Sequence, residues 1–151
     1  MGAWIAMLAA RERPARVGAL VTVAAAPDFT ERLMMQRFNR EQIKQLQTTG
    51  QVLLPSEYDD GSPYPITQQL FDNSRQHCVL NHKLKIDVPV RMLHGTEDQD
   101  VPYELSIELM NTLSSNDVEL TLIKNGDHRL SEPEQLTLLE QTIIGLHASL
   151  Q

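Results

Sequence analysis

Two short stretches hold acids and histidines in a context suited to proton chemistry: "HGTEDQDVP", His94 to Pro102, and "KNGDHRL", Lys124 to Leu130. A carboxylate bonded to one nitrogen of an imidazole fixes its tautomer and stabilises the imidazolium, which leaves the other nitrogen to act as general base. Asp98 and His128 are the candidates for such a pair. Taken singly, Asp98 reads equally well as a solvated loop acid, and a lone histidine after a strand, such as His128, is more often a surface or satisfied residue. Glu97 and Asp100 read as neighbours, with Asp100 the better placed to cap a helix starting near Pro102 or Tyr103. Asp127 reads as a loop residue, and His94 as a packing or hydrogen-bonding residue beside the tight turn at Gly95. His77, Cys78 and His82 put three soft ligands within a short span. A structural zinc site takes four and no second pair appears, so a packed segment is the favoured reading there.

Both stretches need elements to aim them, and each ends or follows an apolar run of strand character: "VPVRMLHG", Val88 to Gly95, and "VELTLIKNG", Val118 to Gly126. A further run, "VGALVTVAAAP" from Val17 to Pro27, is almost continuously apolar, as in a parallel strand buried on both faces. Between the last two strands, "YELSIELMNTL" sets Leu105, Leu109, Met110 and Leu113 at helical spacing. Ser131 and Glu134 then form a capping-box pattern with Pro133 in the first turn. Leu136, Leu139, Ile143, Leu146 and Leu150 recur behind it at steps of three and four, an amphipathic closing helix. The chain opens on a short Ala-rich helix from Met1 that stops near Arg11-Glu12-Arg13-Pro14, with Trp4 in apolar packing. This alternation predicts an α/β fold with a parallel sheet and right-handed crossovers. The acid and the histidine then fall at the carboxyl ends of strands, where open α/β sheets bind ligands.

Residues 28–82 depart from that alternation. They are polar, with helices predicted over roughly 31–48 and 66–80 around a turn-rich centre, "LPSEYDDGSPYPI", where Pro55, Gly61, Pro63 and Pro65 read as breakers. Met34 and Met35 read as apolar packing, with an acyl pocket as the alternative.

The acid stretch, H-G-x-x-D-x-x-V-P, and the histidine stretch, G-D-H-R, resemble the acid and histidine loops of the α/β-hydrolase family. "HCVLNHKLKIDVPVRMLHGTEDQDVP" and "DVELTLIKNGDHRLSEPE" are similar to the palmitoyl-protein thioesterases and acyl-glucuronide esterases within it, and to their bacterial relatives. The similarity runs over essentially the whole chain. The fold it implies is the C-terminal half of an α/β-hydrolase sheet, meaning the last three parallel strands with their helices, plus a helical cap insertion. The corresponding division is 1–27 for the first helix and strand, 28–82 for the cap, and 83–151 for the acid and histidine loops with the closing helix.

The resemblance also implies roles. Asp98 becomes the acid and His128 the base of a Ser-His-Asp triad. Met1-Gly2-Ala3-Trp4 resembles a nucleophile elbow entered one residue after its serine, with the backbone N–H of Met1 as an oxyanion donor and Gly2 as the elbow's last glycine. Substrates would be small carboxylic esters, acyl glucuronides or acyl thioesters, with no cofactor. None of the seven glycines brackets a serine as G-x-S-x-G. Ser106, Ser114, Ser115 and Ser131 sit in or beside predicted helices, Ser56 and Ser62 in the turn-rich centre, and nothing places Cys78 on a strained turn. The expectation is therefore a serine-hydrolase fragment that is inactive alone, its nucleophile preceding Met1. The alternatives are a non-catalytic remnant that binds an acyl ligand or a partner, and one half of a split hydrolase completed by an elbow-bearing chain.

Composition narrows the field. With 41% hydrophobic and 22% charged residues the chain is too apolar for a disordered one. A net charge of −7 argues against nucleic acid as a main partner. No apolar run approaches the roughly 18–20 residues a membrane span needs. The single cysteine suits a reducing compartment. A signal peptide fits poorly, because no basic residue precedes the first apolar stretch. The expected location is cytoplasmic for a bacterial source and mitochondrial for a eukaryotic one carrying an upstream targeting peptide.

Overall fold

The computed structural model describes residues 1–55 and 62–151, so Ser56 and Gly61 in the turn-rich centre lie outside the described residues. The elements in chain order are α1 (Gly2–Glu12), β1 (Leu20–Val23), a π-helical turn (Thr30–Met34) running into α2 (Met35–Arg37), α3 (Arg40–Thr49), β2 (Gln51–Leu54), β3 (Tyr64–Thr67), α4 (Gln68–Arg75), β4 (Val90–Gly95), α5 (Glu104–Thr112), β5 (Val118–Ile123) and α6 (Pro133–Ser149). The chain divides into two compact units, Met1–Pro27 with Val79–Gln151, and Asp28–Cys78.

The first unit is a three-stranded parallel sheet in the order β1-β4-β5. The central strand β4 is the most buried, with Val90, Met92, Leu93, His94 and Gly95 all inside. Its register sets Leu20 beside Val90 and Val23 beside Leu93 on one side, and His94 beside Leu122 and Gly95 beside Ile123 on the other. The first strand is shorter than the apolar run predicted. After Val23 the backbone leaves the sheet through Ala24 at a φ of 46°, and Ala24–Pro27 are buried without being strand. An apolar run marks burial, and burial does not distinguish strand from packed coil.

Helix α1 buries Trp4, Met7 and Ala10, one residue per turn on a single face. Its carboxyl end shares a cleft with Lys85–Val88, the segment that enters β4, so that end lies at the amino edge of the sheet. Its amino end therefore points toward the carboxyl edge. A Cβ on Gly2 would meet nothing within 4 Å, so no close approach within the described residues requires that glycine.

The start of α6 departs from prediction. Its capping box is formed by Glu132 with Gln135 rather than by Ser131 with Glu134, because Pro133 takes the first helical position and sets the cap at the residue before it. Of its apolar row only Leu146 is buried, while Leu136, Ile143, Ile144 and Leu150 are 47–59% exposed. Residues of its Gln141–Ser149 stretch line a cleft together with Met92, Leu93 and Thr121 of the sheet.

The second unit carries its own core of Phe38, Leu46, Val52, Ile66 and Phe71, against which Met34 and Met35 pack. The rings of Phe38 and Phe71 meet edge to face at 5.8 Å. Two local predictions are corrected. The helix expected over 31–48 is broken at Phe38–Asn39, where Asn39 adopts extended backbone and forms a capping box with Gln42 that starts α3. The helix expected from 66 begins at Gln68. Residues 64–67 instead pair antiparallel with β2, so Pro65 sits within a strand opposite Leu53. Proline is tolerated in a two-stranded hairpin because each strand has an edge that needs no N–H donor.

Candidate active site

The site is built where β4 and β5 end. Gly95 closes β4, and the chain after it is stitched to the chain after β5. Thr96 N–H donates to Ile123 O at 2.9 Å, Glu97 N–H to Gly126 O at 2.9 Å, and Asn125 N–H to Thr96 Oγ1 at 2.9 Å. Two glycines permit this seam. A Cβ on Gly95 would land on the backbone carbonyl of Gly126, and one on Gly126 would lie 2.7 Å from the Leu130 side chain and 3.1 Å from the Gly95 Cα.

The histidine loop carries local strain and local compensation. Asn125 and Leu130 both have positive φ, 59° and 47°. Asparagine accepts that conformation readily, whereas leucine adopts it only where the surroundings insist. The insistence comes from Asp127, whose carboxylate accepts the N–H groups of Arg129 at 3.1 Å and Leu130 at 2.9 Å, and from burial of the Leu130 side chain. Asp127 is thus a loop-shaping residue, as its sequence context predicts.

This geometry brings Asp98 and His128 together. His128 Nδ1 lies 2.8 Å from Asp98 Oδ2, with the Asp98 side chain fully buried and the imidazole 34% exposed. The carboxylate is an acceptor, so Nδ1 carries the proton and Nε2 holds a lone pair. Among the described residues the imidazole bonds only to Asp98, which leaves Nε2 open.

Asp98 accepts four hydrogen bonds: the N–H groups of Asp100 and Val101 on Oδ1, each at 2.8 Å, and His94 Nε2 at 3.1 Å with His128 Nδ1 on Oδ2. Burial alone pushes its pKa up. The Val101 N–H, the His128 hydrogen bond, the Asp100 N–H and the charge on His128 together outweigh burial, and the pKa lies below the ordinary carboxylate value. Asp98 makes the Asx-type turn here. Asp100 does not cap α5, whose N-cap is Tyr103 with no side-chain bond.

His94 is fully buried, between Ser106 Oγ at 2.7 Å on Nδ1 and two acceptors on Nε2. The sequence placed it beside a turn; nothing in its spacing revealed Ser106 as a partner across α5.

No serine or cysteine completes the pair among the described residues. The Ser106 hydroxyl is bonded to His94 and that of Ser114 to Asp87 at 2.6 Å. The Cys78 thiol faces the Ser74 carbonyl at 3.7 Å. Burial and the nearby charges of Asp28 and Glu31 raise its pKa, only partly offset by Arg75, and a raised pKa makes it a poor nucleophile. Met1 is the N-cap of α1, where its carbonyl accepts the N–H groups of Trp4 and Ile5. Among the described residues, the one trio of His, Cys, Asp or Glu whose ligand atoms lie within 4.8 Å of one another is Asp98, Asp100 and His128. His77, Cys78 and His82 do not form such a group.

No family model matches the chain. The mitochondrial palmitoyl-protein thioesterase ABHD10 of Bos taurus is 35% identical over 146 residues, which cover 95% of this chain and 46% of that protein. Its human counterpart is 32% identical over the same length and share. Among solved structures, a protein of Agrobacterium vitis S4 provisionally assigned as a hydrolase superposes with a TM-score of 0.89 at 33% identity, covering 97% of this chain and 58% of that one. The mouse α/β hydrolase domain-containing protein 10 superposes with a TM-score of 0.84 at 32% identity, covering 99% and 59%. The chain thus spans about half the length of the curated relatives it matches.

Proposed function

Since the chain is a relative of the α/β-hydrolase superfamily, we propose that Asp98 and His128 are the acid and base of a serine hydrolase acting on carboxylic esters or acyl thioesters. One observation carries the reading: a buried, fourfold hydrogen-bonded carboxylate holds the imidazole at 2.8 Å and leaves its Nε2 open. The nucleophile is a serine on sequence outside these 151 residues, seated just ahead of α1. Its support is the relatives' doubled length and the lack of a hydroxyl partner for His128 among the described residues.

The chemistry follows from the parts. The serine oxygen attacks the acyl carbon while His128 Nε2 takes the hydroxyl proton. Asp98 stabilises the resulting imidazolium through Nδ1. The oxyanion is met by backbone donors, the N–H of Met1 among them, at the end of α1 directed to the carboxyl edge of the sheet. The imidazolium returns its proton to the departing alcohol or thiol. Water activated by Nε2 then releases the acid and restores the serine. The thioesterase activity and mitochondrial location in the relatives' name favour acyl thioesters on proteins as substrates and a mitochondrial setting; acyl glucuronides are a further ester class within the proposal, resting on the sequence resemblance alone. Among the described residues, the exposed apolar side chains of α6 and the edge position of β1 favour a chain that functions with further polypeptide, in the same protein or a partner, over a self-sufficient ligand-binding remnant.

The test measures hydrolysis of a short acyl thioester and a nitrophenyl ester by the 151-residue chain alone and joined to the elbow-bearing N-terminal half of a relative. Turnover is expected only in the joined protein, with Asp98→Asn lowering it by about 10⁴-fold and His128→Ala by about 10⁶-fold. Turnover by the joined protein that survives His128→Ala sinks the assignment.

A further inference from the structure

We propose that His94 is a positioning residue for the acid of this site, a second imidazole that fixes the aim of the Asp98 carboxylate at His128. The proposal rests on the acid–base reading only for its consequence in turnover; the hydrogen-bond arrangement stands without it.

The tautomer follows from the neighbours. His94 Nε2 faces two acceptors, Asp98 Oδ2 at 3.1 Å and the Val101 carbonyl at 2.9 Å, so Nε2 must carry the hydrogen. Nδ1 then presents a lone pair, and Ser106 donates its hydroxyl hydrogen to it at 2.7 Å. Both side chains are sealed, His94 at 0% and Ser106 at 1% exposure, so water does not compete for these bonds.

The bonds form a closed frame. Asp98 Oδ1 accepts the N–H of Val101, His94 Nε2–H donates to the carbonyl of the same residue, and the same Nε2–H also reaches Asp98 Oδ2. The base of the frame is β4, the central strand, and its outer strut is Ser106 on α5. With Oδ1 saturated by two backbone donors, a rotation of the carboxylate about its terminal bond breaks bonds on both oxygens. Oδ2 therefore stays where His128 meets it. The contact to His94 is longer than that to His128, 3.1 Å against 2.8 Å, because the single Nε2–H is shared with a carbonyl. His94 thus restrains Oδ2 without drawing it off the base.

The experiment has two arms. On the 151-residue chain, long-range proton–nitrogen correlation spectra assign the His94 tautomer and follow the His128 Nδ1–H resonance in the wild type, His94→Gln and His94→Asn. Glutamine carries a nitrogen donor close to the Nε2 position, whereas asparagine does not reach it. The expected result is an Nε2–H tautomer at His94, a His128 Nδ1–H signal that moves or broadens in His94→Asn, and its restoration in His94→Gln. In the joined protein, His94→Asn lowers kcat on the order of tenfold with KM unchanged, and His94→Gln recovers most of it. An Nδ1–H tautomer in the wild type overturns the proposal, and that measurement needs no variant to fold. A folded His94→Asn with an undisturbed His128 signal overturns it equally. Should the joined wild type show no turnover, the acid–base reading fails while the spectra still decide the role of His94.

Discussion

Gly95 is the residue on which the seam between the acid and histidine loops depends, and Gly95→Ala tests that dependence. A Cβ there would land on the Gly126 carbonyl and sit 2.6 Å from the Asp127 oxygen, whereas ordinary contact begins at 3.4 Å. The Asp127 oxygen alone has to retreat by about 0.8 Å, and both neighbours are backbone, which cannot rotate away. The bonds from Glu97 N–H to Gly126 O and from Asn125 N–H to Thr96 Oγ1, each 2.9 Å, cross the same seam. A displacement of that size stretches them to about 3.7 Å, outside hydrogen-bonding range. Overpacking of about 1–3 kcal/mol and two lost bonds of about 1 kcal/mol each give roughly 3–5 kcal/mol. Against a domain stability of about 5–15 kcal/mol this is a large loss, lowering the melting temperature by roughly 6–20 °C. The 2.8 Å contact of His128 with Asp98 spans the same two loops and opens with them. Thermal melts, read with the His128 Nδ1–H resonance, provide the assay. Gly145→Ala is the matched control: its Cβ meets nothing within 4 Å, and within α6 it should stabilise by about 0.5–1 kcal/mol. A Gly95→Ala chain that melts with the wild type and keeps its Nδ1–H signal would refute the claim that this glycine sets the loop spacing.

Two further outcomes follow from the same loops. The folded-state pKa of Asp98 lies below its unfolded value, so its contribution to stability is complete above about pH 4 and is lost as pH falls through the folded value; urea melts across acid pH should show a shallower decline in Asp98→Asn than in the wild type. Asn125 holds a φ of 59°, so Asn125→Gly should leave the urea midpoint nearly unchanged while Asn125→Val lowers stability by about 1–2 kcal/mol, and equal effects of the two would contradict the strain argument.

The order of elements was legible because parallel strands, once buried on both faces, leave apolar runs that Gly and Pro close off. Where burial and secondary structure part company, the pattern misled. Ala24–Pro27 is apolar and buried yet lies beyond β1. Pro65 reads as a breaker yet pairs with Leu53, because a hairpin edge has no use for its missing N–H. The apolar row of α6 predicts a packed face, but periodicity describes the helix and not what lies opposite. At the candidate site, Asp98 and His128 were legible from their places after two strands. The partners that hold them were not. Ser106 joins His94 from the next helix, and the reason for Gly95 is the backbone of a loop on the neighbouring strand. Such contacts depend on register, which a single sequence does not display.

The distribution of restraint within the site is uneven, and it gives the pair a direction. Asp98 is fixed by four donors, three of them from its own loop and the strand before it. His128, half-buried, depends on one bond to that acid and on a loop whose Leu130 is strained. The acid therefore positions the base, and the reverse does not hold. Removing the base, as in His128→Ala, leaves Asp98 with three partners and its loop intact. Removing the acid, as in Asp98→Ala, strips the N–H groups of Asp100 and Val101 of their acceptor, takes a partner from His94 and releases the imidazole, because every bond that aims it passes through one carboxylate.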